Sequence, residues 1–143
     1  GVPYIFLDRQ IASGIFTNIC QVGSGATLTL TNCADNGKVQ GEVTVNGGKF
    51  ELYSGTITGG VEVGRHSNPA TGSAFTMYGG AITGNDESSG GGVFLVGTTQ
   101  QIDPPSFTMH GGTISDNTAG ASDGGGGGVY VGEKCSFTMD GGT

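Results

Sequence analysis

A nine-residue motif recurs along this chain and constrains the fold more than any other feature. It reads Phe-Thr-Met-x-Gly-Gly-x-Ile-(Thr/Ser) at residues 75–83 and 107–115, and it begins again at residues 137–143. A diverged copy occupies residues 50–58, and a weaker one begins at residue 28. Each copy leads into a segment of variable length and then a third apolar triplet, found at 43–45, 61–63, 93–95 and 129–131. A fixed unit followed by a variable loop is typical of a solenoid, in which each repeat buries its apolar side chains against its neighbours.

The spacing within the unit predicts the architecture of each repeat. The phenylalanine and the isoleucine are seven residues apart in every full copy (50 to 57, 75 to 82 and 107 to 114), whereas the distance to the next valine varies. Thr, Val, Ile and Phe alternate with a period of two, and glycine recurs too often for a helix to persist. A β-propeller also repeats short strands, but its units of about 40 residues are longer. We therefore predict an all-β fold, a right-handed parallel β-helix with three short strands per coil and about five coils.

Strand alternation assigns the side chains of the motif to the inside or the outside of each coil. Three internal ladders are expected, with successive coils about 4.8 Å apart. Their members are Phe50, Phe75, Phe107 and Phe137; Leu52, Met77, Met109 and Met139; and Ile57, Ile82 and Ile114. The paired glycines are expected to allow a sharp turn. Asn85 and Asn117 follow the second strand, and their amides are expected to hydrogen-bond along the axis.

One outward position of the motif carries aromatic side chains and is the main candidate binding surface. It holds Tyr53, Tyr78, His110 and Asp140 in successive copies. Such a column either contacts a sugar or a partner protein, or only stabilises the sheet by stacking between strands. We select Tyr53, Tyr78 and His110 as candidate ligand-binding residues. The third strand carries a similar outward pair, Phe94 and Tyr130.

Charge and composition argue against several classes of function. The chain has 12 acidic and 5 basic residues, a formal net charge of −7, and no clustering of its bases. It therefore lacks the basic stripe that nucleic-acid binding requires. No apolar run approaches the roughly 20 residues of a membrane-spanning helix, so no membrane span is expected. The low charged fraction and the many glycines suit a secreted protein, and we expect an extracellular or cell-surface location.

Cysteine and acidic residues offer only weak candidate sites. Cys20 and Cys33 flank a short segment and either form a disulfide, as in an oxidising compartment, or remain free thiols like Cys135. No Cys/His spacing matches a zinc site, and we expect no metal or cofactor. Most aspartates occupy different positions of their repeats. Residues 86–87 and Asp116 lie in corresponding loops, where solvated loop tips are expected rather than a catalytic pair, and no enzymatic activity is expected.

The motif resembles the repeats of large bacterial surface proteins that fold as pectate-lyase-like right-handed β-helices. The resemblance covers roughly residues 28–143 and rests on the motif, the glycine run and the Val-Tyr-Val triplet at 129–131. The tetrapeptide at 79–82, Gly-Gly-Ala-Ile, is also similar to that of chlamydial polymorphic outer-membrane proteins, whose companion Phe-x-x-Asn motif is not found at the expected places. The resemblance implies extracellular display and adhesion, although β-helices of this kind also include carbohydrate-active enzymes.

The two ends of the sequence differ from the repeats. Residues 1–27 are irregular and are expected to form an N-terminal cap or a docking segment, whereas the β-helix repeats at 28–143 look incomplete at the C-terminus. An uncapped solenoid exposes unpaired strand edges, so self-association through an open C-terminal rung is expected. A host protein or a glycan is a further possible partner. The expected function is a structural or adhesin segment of a bacterial surface protein; the alternatives are a filament subunit that stacks end to end and a glycan-binding or carbohydrate-active β-helix.

Overall fold

The regular structure of this protein consists of short parallel strands. The computed structural model describes residues 4–6, 20–31, 38–64, 72–87, 91–97, 102–120 and 126–143, with the backbone alone at 4–6, 20 and 87. Within these ranges there are seventeen strands and no helix. Every strand pairing is parallel. The prediction of an all-β protein is therefore confirmed.

The largest sheet contains the first strand of every repeat. Its order is β1-β3-β6-β9-β13-β17. These strands span Tyr4–Phe6, Thr27–Leu30, Lys49–Leu52, Ala74–Met77, Ser106–Met109 and Ser136–Met139. The register places equal positions of the motif side by side, so that Phe107 lies between Phe75 and Phe137. The repeat in the sequence thus becomes a repeat in space.

Two further sheets of stacked strands lie on the path between successive strands of the largest sheet. The four-stranded sheet, in the order β14-β10-β7-β4, contains Thr113–Ser115, Ala81–Thr83, Thr56–Ile57 and Lys38–Val39. The five-stranded sheet, in the order β16-β12-β8-β5-β2, contains Val129–Val131, Val93–Leu95, Val61–Val63, Val43–Val45 and Cys20–Val22. A small sheet pairs β11 (Asp86–Glu87) with β15 (Thr118–Ala119). From β3 to β17, successive strands belong in turn to the six-, four- and five-stranded sheets, and this order repeats along the chain. Such an order is consistent with a parallel solenoid.

The sheets extend to positions where the motif is absent or weak. Strand β4 has no counterpart in the sequence pattern, yet Val39 pairs with Ile57 and extends the isoleucine ladder by one repeat. Within residues 1–27, β1 pairs with β3 and β2 pairs with β5. Parts of this segment therefore lie in the same sheets as the repeats.

The core is built from the predicted ladders. The ring centroids are 4.9 Å apart for Phe50 and Phe75, 4.6 Å for Phe75 and Phe107, and 4.9 Å for Phe107 and Phe137, with interplanar angles of 13°, 5° and 13°. These separations match the spacing of paired strands, about 4.8 Å. The rings of Phe50, Phe75 and Phe107 are buried, whereas Phe137 is half-buried because it lies in the last strand of the sheet. The phenylalanine ladder is confirmed.

The paired glycines of the motif meet two different demands. A Cβ atom on Gly111 would lie 2.6 Å from the carbonyl oxygen of Tyr78 in the adjacent repeat, and one on Gly79 would lie 2.4 Å from that of Tyr53. The second glycine of the pair, Gly112, has a φ of 94°, in the left-handed region that L side chains rarely adopt. At the first position of the pair there is no room for a Cβ atom, and at the second position the backbone adopts a left-handed conformation that favours glycine.

The two asparagines hydrogen-bond along the axis as predicted. The Asn85 side-chain Nδ2 donates to Oδ1 of Asn117 at 2.7 Å, and the Asn85 backbone N–H donates to the same oxygen at 3.2 Å. In turn, Nδ2 of Asn117 donates to the carbonyl oxygen of Ile82 at 3.0 Å. Asn85 is 3% exposed, and its own Oδ1 has no hydrogen-bond partner in the part of the chain that the structure describes.

Candidate functional site

Three of the outward aromatic side chains form a continuous stack, which we name the aromatic column (Tyr53, Tyr78 and His110). Each follows a strand of the six-stranded sheet by one residue. The backbone N–H of Tyr78 donates to the carbonyl oxygen of Leu52, and that of His110 donates to Met77, both at 2.8 Å. These bonds prolong the strand pairing and hold the three side chains in register. The structure thus brings together all the residues that we selected as candidate ligand-binding residues.

The rings of the aromatic column stack face to face. The centroids of Tyr53 and Tyr78 are 4.5 Å apart with an interplanar angle of 15°, and those of Tyr78 and His110 are 5.2 Å apart with an angle of 22°. Tyr53 is 45% exposed and Tyr78 is 43% exposed. Because Tyr78 has a ring against each of its faces, its exposed surface consists mainly of its edge and its hydroxyl group. The column therefore offers ring edges to solvent rather than open ring faces.

Carboxylates lie at both ends of the aromatic column. His110 Nδ1 lies 2.8 Å and 2.9 Å from the two carboxylate oxygens of Asp140, which occupies the same position in the last repeat. At the other end, Glu51 lies in β6, two residues before Tyr53. The pKa of the Tyr53 hydroxyl is raised, first by desolvation and then by the Glu51 carboxylate and the neighbouring Tyr78. The column is therefore bounded by acidic groups.

A second outward column runs beside the aromatic one, and we did not select it from the sequence. Its members lie two residues before those of the aromatic column, and so on the same face of the sheet. They are Thr29, Glu51, Thr76, Thr108 and Thr138. The hydroxyl of Thr29 donates to Glu51 Oε2 at 3.3 Å. The same period-two alternation that identified the tyrosines would have identified this column.

The two columns run side by side along the stacking direction of the sheet. Between them the side chains of Leu52, Met77 and Met109 point inward and are at most 1% exposed. The outward face of the sheet therefore carries one row of rings and one row that consists mainly of threonines.

The other outward aromatic pair lies on the five-stranded sheet. Phe94 and Tyr130 are aligned by the pairing of β12 with β16, and their ring centroids are 4.9 Å apart at an angle of 30°. Both are half-buried. Glu62 precedes Phe94 in the same outward position, so this stack contains only two rings.

The remaining sequence candidates do not converge on one place. Asp86 pairs with Thr118 rather than with Asp116, and both aspartates are exposed, as expected for loop tips. The Cys33 position and the Cys20 side chain lie outside the described residues. Cys135 is a half-buried free thiol whose pKa is raised by burial. The described ranges contain no group of three or more His, Cys, Asp or Glu side chains arranged to hold a metal ion, and no helix long and apolar enough to cross a membrane.

The chain matches no protein-family model, no curated protein and no solved structure. What it does must therefore be inferred from its own residues and geometry.

Proposed function

We propose that the chain forms a right-handed parallel β-helix of about five coils and serves as a structural, adhesin-type segment on the outside of a bacterial cell. The observation that carries the proposal is the unbroken, in-register stack of strands around the phenylalanine ladder. The right hand follows from a general rule, since crossovers between parallel strands of one sheet are right-handed in about 98% of cases. Each coil lengthens such a segment by about 4.8 Å, which suits a spacer or a display scaffold.

The outward side chains support a structural role. The rings of the aromatic column, the Phe94–Tyr130 pair and the Asn85–Asn117 pair all contact the equivalent position of the adjacent repeat. Contacts of this kind stabilise the stack whether or not a ligand is present. The extracellular location is supported by composition, because the chain is rich in glycine, poor in charged residues and acidic.

Surface labelling of intact cells tests the location directly. Antibodies raised against the purified chain should label intact cells of the source organism as strongly as permeabilised cells. An antibody against a cytoplasmic protein, which labels only permeabilised cells, is the control. Labelling of the chain that appears only after permeabilisation would contradict the proposal, whatever the fold of the chain.

End-to-end association is a second candidate function, which we propose on the general tendency of an unpaired strand edge in a solenoid to pair with another chain. Met139 is 49% exposed and Val131 is 42% exposed, whereas Met77 and Val63, at equivalent positions, are fully buried. A further coil would cover this apolar surface, whether it came from the same polypeptide or from a second copy. In the second case the protein would polymerise.

The mass of the chain in solution, measured by light scattering over a range of concentrations, tests this candidate. Concentration-dependent assemblies that are lost in the Val131→Lys/Met139→Lys variant would support stacking through the last repeat. Ile102→Lys is a matched control, because Ile102 is 79% exposed and lies outside the strands. A monomer at every concentration, or an equal effect of the control substitution, would contradict it.

A glycan-binding role has less geometric support. Sugars stack on the open faces of aromatic rings, and the faces of Tyr78 are covered by Tyr53 and His110. The test is a glycan-array screen of the wild type and of the Tyr53→Ala/Tyr78→Ala variant. Binding that is present in the first and lost in the second would favour this role over a purely structural one.

A further inference from the structure

We draw no further inference here: the strongest candidate, a cavity of about 230 Å³ at the corner between the five- and six-stranded sheets, is a stripe of small residues (Gly25, Ala26, Gly47, Gly48 and Gly72) beside the exposed Lys49, and nothing among the described residues that line it points to a ligand.

Discussion

The two asparagines that follow β10 and β14 make unequal hydrogen bonds, so their replacement by alanine should have unequal costs. Asn117 uses both side-chain groups: Oδ1 accepts from the Asn85 backbone N–H and from Asn85 Nδ2, and Nδ2 donates to the carbonyl oxygen of Ile82. Asn85 uses its side-chain Nδ2 alone, since its Oδ1 has no partner among the described residues. Burial by itself suggests the opposite ranking, because Asn85 is buried and Asn117 is only half-buried.

The magnitudes follow from the number of bonds removed. Asn117→Ala removes three hydrogen bonds and leaves the buried Asn85 amide without acceptors, so at about 1 kcal/mol per bond the free energy of unfolding should fall by about 3 kcal/mol. Asn85→Ala removes one bond and also removes a buried oxygen that has no described partner. Leaving a buried acceptor unpaired costs about 1–3 kcal/mol, so its removal offsets much of the loss, and the net change should be about 1 kcal/mol or less.

Urea unfolding followed by circular dichroism measures both changes, with linear extrapolation and a shared slope. Tyrosine fluorescence should give the same midpoint, because repeat proteins do not always unfold in one step. Asp86→Ala is the control, since Asp86 is exposed beside Asn85, and it should change stability by less than about 0.5 kcal/mol. If Asn85→Ala costs as much as Asn117→Ala or more, the reasoning from hydrogen-bond number is wrong.

Three further predictions concern the phenylalanine ladder, the glycine corner and the aromatic column. Phe75→Ala should lower the free energy of urea unfolding by about 3–5 kcal/mol, because its ring is buried between two others, whereas Phe137→Ala, with one stacked neighbour, should cost about half as much. Gly111→Ala should cost about 1–3 kcal/mol because its Cβ would press on a carbonyl oxygen, whereas Gly23→Ala, with no atom within 4 Å, should be neutral or slightly stabilising; thermal unfolding checks both. The pKa of Tyr53 is raised in the folded protein, so the unfolded chain loses this proton first, and stability should fall as pH rises above the ordinary tyrosine pKa of 10.0. In melting temperatures measured between about pH 9 and 11, Tyr53→Phe should remove this part of the decline.

The sequence predicted the stacking of the first strand well, for a reason that lies in the geometry of parallel pairing. A parallel register places identical motif positions side by side, so Phe75 meets Phe107 as soon as the two copies are aligned in the sequence. The isoleucine follows the phenylalanine by seven residues in each full copy. Aligning the phenylalanines therefore also aligns the second strands, and Ile82 pairs with Ile114. Because periodicity in the sequence and periodicity in space are the same property here, no long-range information was needed.

What the sequence did not predict depends on contacts between unlike residues. Strand β4 lacks the motif, and its place is determined by the β7 strand against which it pairs. Asn85 and Asn117 occupy the same position of the motif, so the sequence alone does not distinguish them. Their hydrogen bonds differ because the repeats that lie next to them differ. Counting from the paired Ile57 and Ile82, the position that corresponds to Asn85 in the repeat below is Gly60, which has no side chain that could donate to the Asn85 amide oxygen.

The variation among the repeats separates structural positions from candidate functional ones. The inward phenylalanine is kept in four copies because each ring must fill the same space between its neighbours. The outward position changes from Tyr53 and Tyr78 to His110, whose ring continues the stack, and then to Asp140, which has no ring. The change at Asp140 ends the stack of rings and replaces it with a hydrogen bond to His110. The last member of the column therefore still contacts the adjacent repeat, through a hydrogen bond instead of a stacked ring. The inward position is restricted by packing to one ring, whereas the outward position is restricted only to side chains that can reach the equivalent position of the next repeat.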